Sequence, residues 1–157
     1  MNESFDLTHP DNFVAGTIGE PGSRIFYVQA SQDGEIVTLK VEKGQIQALA
    51  SYLAEVLEDL TAEDSEIAEA PTERPTPMVE PLVAVWTVGG LAIGVEQSSK
   101  ALVVMAEELT DNEDDEPAHA HFHLNPGQAQ GYIDQALFLI EYGRDFGRQN
   151  GHRRLDE

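Results

Sequence analysis

The chain has 157 residues, no cysteine, and nine Lys and Arg against 29 Asp and Glu, a formal charge of −20. A length near 150 residues suits one compact core. The charge repels phosphate backbones and anionic membranes, disfavouring both as partners, and the missing thiols exclude disulfides, cysteine nucleophiles and cysteine-ligated zinc.

Residues 1–13, MNESFDLTHPDNF, have neither a basic n-region nor an apolar h-region. No run approaches the roughly 18 apolar residues of a membrane span. The expectation is a cytoplasmic protein, monomeric or a small homo-oligomer.

Three strands are predicted first, at residues 13–18 (FVAGTI), 24–30 (RIFYVQA) and 35–42 (EIVTLKVE). The last two alternate with the period of two of half-buried strands. Pro21-Gly22 reads as a type II turn and Asp33-Gly34 as a tight hairpin. From Lys43 the period becomes helical: Ile46, Leu49, Ala50, Leu53, Val56, Leu57 and Leu60 form one apolar stripe.

Residues 61–81, TAEDSEIAEAPTERPTPMVEP, combine acid with four prolines and lack apolar periodicity. They read as a flexible linker. Strands are predicted again at 82–95, broken or bulged at Gly89-Gly90, at 101–109, and at 119–124 (HAHFHL) beyond an acidic loop. Asn125 then supplies an N-cap and Pro126 the first helical position of a helix ending near Gly143.

Residues 39–57, LKVEKGQIQALASYLAEVL, align without gaps on 122–140, FHLNPGQAQGYIDQALFLI, and share Gly44/Gly127, Gln45/Gln128 and Gln47/Gln130. The expected fold is α+β: duplicated βββα units whose antiparallel sheet or sheets pack against two helices. The first unit spans residues 1–60, the acidic Pro-rich linker 61–81, and the second unit with its basic C-terminal tail 82–157, all in one compact domain.

The runs DNFVAGTIGEPGSRIFYVQA (11–30), WTVGGLAIGVEQSSKALVVMAEE (86–108), HLNPGQAQGYIDQA (123–136) and GRQNGHRR (147–154) together resemble an uncharacterised actinobacterial family, domain of unknown function 3090. The resemblance implies no transferable activity. Members carry paired cysteine motifs like a small zinc knuckle before the RQNG-like end. Here only Arg144-Asp145-Phe146 stand there, so that zinc role does not carry over.

Candidate metal ligands are His119, His121 and His123, on one face of a strand roughly 6.6 Å apart. Two could share a divalent ion, with a third ligand from the remaining histidine or from Asp114, Asp115 or Glu116. Ala120, Phe122 and Leu124 alternate with them, so the histidines equally suit the solvent face of an amphipathic strand. The acidic loop lacks the glycine and spacing of an EF-hand. GEPGSR leads into a strand rather than the helix a phosphate loop needs.

Arg144, Arg148, Arg153 and Arg154 form a basic tail suited to an acidic partner or to the chain's own carboxylates. With no assembled catalytic constellation, the expected function is a nonenzymatic cytoplasmic binding or adaptor protein with a protein partner and no cofactor. The alternative is a metal-dependent enzyme or metal-binding protein using the three histidines.

Overall fold

A computed structural model describes residues 2–142. In chain order the elements are β1 (Phe5–Leu7), β2 (Asn12–Ile18), β3 (Ile25–Gln32), β4 (Glu35–Val41), α1 (Lys43–Glu63), α2 (Ser65–Ala68), β5 (Trp86–Val95), β6 (Leu102–Glu108), β7 (His119–Leu124) and α3 (Pro126–Tyr142). The fold is α+β, with one seven-stranded sheet in the order β1-β7-β6-β5-β4-β3-β2. The sheet is mixed where an antiparallel one was expected: β4 pairs parallel with β5, and β1 parallel with β7. Two elements beyond the expectation, β1 and α2, are three and four residues long. Segments that short carry no readable period.

Turn chemistry sets the hairpins. Gly22 takes φ +93° in the turn closed by Ser23 N–H on Glu20 O, and Asp33 and Gly34 both take positive φ between β3 and β4. The helices start alike. Glu42 N–H donates to Gln45 Oε1 at 2.8 Å and Asn125 N–H to Gln128 Oε1 at 3.0 Å, each glutamine reaching back over the first turn. Their amides also tie each helix to a neighbouring strand region, Gln45 Nε2 donating to Val88 O and Gln128 Nε2 to Pro10 O.

The core lies between the sheet and helices α1 and α3. Leu49, Leu53 and Leu57 of α1 and Tyr132, Ala136 and Leu139 of α3 pack on Phe13, Val28, Leu39, Val104 and Phe122. Phe13 lies on the end strand β2 and Phe122 on β7, second from the other end of the sheet, yet their rings lie 5.4 Å apart. The sheet is therefore strongly curled around the helices. Tyr132 stacks on Phe13 and donates its buried hydroxyl to Ile46 O, and burial pushes its phenol pKa upward.

Strand β2 ends the sheet, so one row of its backbone groups has no strand partner. Gln135, 1% exposed, supplies one: Ala15 N–H donates to its Oε1 at 3.0 Å, and its Nε2 donates to Ala15 O at 2.8 Å.

The segment expected to be a flexible linker is instead tied down as a strap. Glu73 N–H donates to Gly127 O. Thr76 exchanges two hydrogen bonds with the Asn12 carboxamide, and Val79 two with that of Gln29. Val85 N–H reaches Thr38 O, where β5 begins alongside β4. Glycines let the strap lie close: a methyl group on Gly16 would overlap Met78, and one on Gly131 would overlap Glu73 O. Few apolar side chains hold this segment; the carboxamides of β2 and β3 do.

Replacing Gln135 by Ala leaves two buried backbone groups unpaired and a void, and we expect a loss of about 2–4 kcal/mol in urea unfolding. Gln135→Met, which keeps the volume, should recover less than half of that loss, because hydrogen bonds rather than packing carry the contact.

Candidate functional site

The strap divides the sheet's outer face, the one turned away from the helices. Over β2 and β3 that face is closed: Val14, Tyr27, Gln29 and Thr38 are buried although they point away from the helical core. This is why β2 reads as a continuous buried run rather than an alternating one. Over β6 and β7 the burial alternates strictly. Leu102, Val104, Ala106, Ala120, Phe122 and Leu124 face the core, while Val103, Met105, Glu107, His119, His121 and His123 face outward, where none of the described strap contacts falls.

The pairing registers of the two halves match row by row. Asn12–Ser31–Ile36, Val14–Gln29–Thr38 and Gly16–Tyr27–Lys40 cross β2, β3 and β4. Gly90–Glu107–His119, Ala92–Met105–His121 and Gly94–Val103–His123 cross β5, β6 and β7 in the same way. The bulge between Val88 and Gly90 brings the second set into phase. Parallel partners agree too, Leu39 with Trp86 and Phe122 with Leu7.

On the open face Gly90, Ala92, Met105, Glu107, His119 and His121 line a shallow cavity of about 370 Å³. His123 lies beyond it. Its Nε2 is 2.9 Å from Asp6 Oδ1 and its Nδ1 is 3.7 Å from Glu96 Oε2, which ties β1 and the β5–β6 turn to β7. His123 also borders a second cavity, of about 520 Å³, with His9, Ser99, Asn125 and Gln128. A third cavity, of about 620 Å³, is lined by α1, α3 and residues 67–72 and shares no residue with the outer face of β5–β7.

Strand β7 thus presents the three candidate metal ligands outward, but divides them between two surroundings. Among the described residues no group of three His, Cys, Asp or Glu is arranged to hold a metal ion. Arg144, Arg148, Arg153 and Arg154 lie outside the described residues. Trp86 is a core residue, 5% exposed, its indole N–H donating to Glu3 O. Among the described residues no helix is long and apolar enough to cross a membrane.

Sequence reasoning placed Gly90 only in the expected bulge, which the register shift bears out, and did not single out Ala92 or Met105. Their signal was available in the small residues at 90, 92 and 94, which alternate along one strand face.

The acidic loop is clipped at its base by Glu108, whose N–H donates to Ala118 O while its carboxylate accepts from Ala118 N–H. That backbone hydrogen bond, helped by Asn2, lowers the Glu108 pKa from its ordinary 4.5. A depressed folded pKa contributes stability that is complete above the unfolded value and lost as pH falls through the folded one. Glu108→Gln should therefore flatten the part of the acid-unfolding curve below about pH 4.5 and leave its neutral region parallel to that of the unmodified protein, as followed by circular dichroism.

No curated protein and no solved structure matches the chain. A family model described as "Protein of unknown function (DUF3090)" matches residues 5–149. By that match, covering nearly the whole chain, this protein belongs to the DUF3090 family of proteins of unknown function.

Proposed function

We propose that this is a nonenzymatic binding protein whose working surface is the outer face of β5, β6 and β7, offered to a polypeptide partner. One observation carries the reading. The matching face of β2 and β3 is buried under an extended segment of the chain itself, whereas the face of β5–β7 keeps Val103, Met105 and the histidines partly exposed around small residues. The cavity lining at Gly90 and Ala92 admits a backbone closely.

The same reading takes the halves as copies of one βββα unit, β2–β4 with α1 and β5–β7 with α3. The matched registers, the paired Gln45 and Gln128 caps and the shared residues of the aligned segments support it. On that view the first copy uses its outer face to hold the connection between copies, and the second retains a free equivalent.

Peptides selected by display on the purified protein test the surface. We expect Ala92→Arg and Met105→Glu to weaken the selected peptides by about tenfold or more, in the range of a central contact residue. Both variants should keep the unfolding free energy from urea denaturation within about 0.5 kcal/mol, as surface changes do. Peptides that bind both variants as tightly as the unmodified protein would refute the proposal.

A second reading, a metal site, draws on His119 and His121 sharing one cavity. Thermal unfolding with added zinc, manganese, iron or nickel separates the two. The binding-surface reading expects no upward shift, while a shift that disappears in the His119→Ala, His121→Ala double variant would favour the metal.

A further inference from the structure

On the strength of the surface reading above, we infer that the occupant of the β5–β7 face is an extended segment carrying basic side chains, placed as residues 76–79 are placed on β2 and β3. The matched rows show what the second half keeps of the strap site and what it replaces. Gly16, over which Met78 lies, corresponds to Gly94, over which only the flexible end of the Met105 side chain lies. The two carboxamides that grip the strap backbone are gone: Asn12 corresponds to Gly90, and Gln29 to Met105.

A carboxamide both donates and accepts, which is how Asn12 and Gln29 each hold an N–H and a C=O. On the open face the fixed charges are carboxylates, which accept only. Glu107 stands in the first row, Asp6 continues the second beside His121, and Glu96 lies within reach of His123. Asp111, Glu113, Asp114, Asp115 and Glu116 follow in the loop between β6 and β7. No Lys or Arg occupies the three rows, whereas the matching rows of the first half include Lys40.

The acidic strap itself would be repelled from such a face. A segment alternating Arg or Lys with unbranched apolar side chains fits it, the apolar groups over Gly94 and Ala92 and the cations against Glu107 and Asp6. Each exposed pair contributes little alone, so attraction is collective and screened by salt.

Fluorescence anisotropy with labelled ten-residue peptides alternating Met with Arg, Ser or Glu tests this on the whole protein. The Arg peptide is expected to bind at low salt, to weaken about tenfold or more with Glu107→Lys or in 0.5 M salt, and to be lost with Ala92→Arg. Glu58→Lys, on α1 at the cavity it shares with α3, should change its affinity less than about twofold.

Equal weakening by Glu107→Lys and Glu58→Lys would mean diffuse attraction to an acidic chain and would overturn the inference. Preferential binding of the Ser or Glu peptide, still abolished by Ala92→Arg, would overturn the basic occupant and leave the binding surface standing. Peptide binding indifferent to Ala92→Arg, or none at all, would overturn both.

Discussion

A buried carboxamide must find partners for its oxygen and its nitrogen, and Gln29, 2% exposed in the middle of β3, finds them in the backbone of Val79 and the hydroxyl of Thr38. Leaving such a group unpaired costs about 1–3 kcal/mol, so the chain between the helices cannot leave this face without penalty. Once Val79 is held there and Thr76 is held by Asn12, the connection wraps over β2 and β3 and delivers β5 to the edge of β4. Parallel pairing of β4 with β5 needs a long crossover, which α1, α2 and the strap together supply. The same contacts close one half of the outer face and leave the other open.

The helical side has a related solution. Gln135 serves β2 as a partner strand would, while Tyr132 bridges Phe13 and α1. Carboxamides thus satisfy backbone at the sheet edge, on its outer face and at both helix starts. This economy lets a chain of −20 charge bury polar contacts through neutral groups, while the carboxylates of Asp6 and Glu96 beside His123 stay well exposed. Asp6, Glu96 and Glu107 stand among the exposed carboxylates at the face that stays open.

Much of this was legible in the sequence. The strands β3, β4, β6 and β7 follow their apolar periods, β2 shows as a short apolar run, α1 shows its stripe from Ile46 to Leu60, and Asn125-Pro126 marks the start of α3. Other features depend on tertiary partners. The strap looked unstructured because its anchors are hydrogen bonds from Asn12 and Gln29, residues more than 45 positions away. Its prolines, a disorder signal in composition, also suit an extended segment with few N–H groups to satisfy. Strand β1 is ordered by β7, with His119 N–H also donating to Ser4 Oγ. Parallel pairing at β4–β5 and β1–β7 was hidden because alternation reports burial and not the direction of a neighbour.

The histidines show the same division. Their common outward face was readable from spacing, but not their neighbours, since Asp6 and Glu96 approach His123 only through the folded sheet. Under the alignment of residues 39–57 on 122–140, Thr38 and Lys40 stand where His121 and His123 do. The matching rows of the first half thus carry other polar residues at these positions. The most direct measurement is a backbone amide NMR titration of the protein with the Met-Arg peptide. The account predicts shifts concentrated at residues 90–94, 103–107 and 119–123, with Gly16, Gln29 and Thr38 unmoved beneath the strap; shifts centred on the strap-covered strands, or spread evenly over the acidic surface, would contradict it.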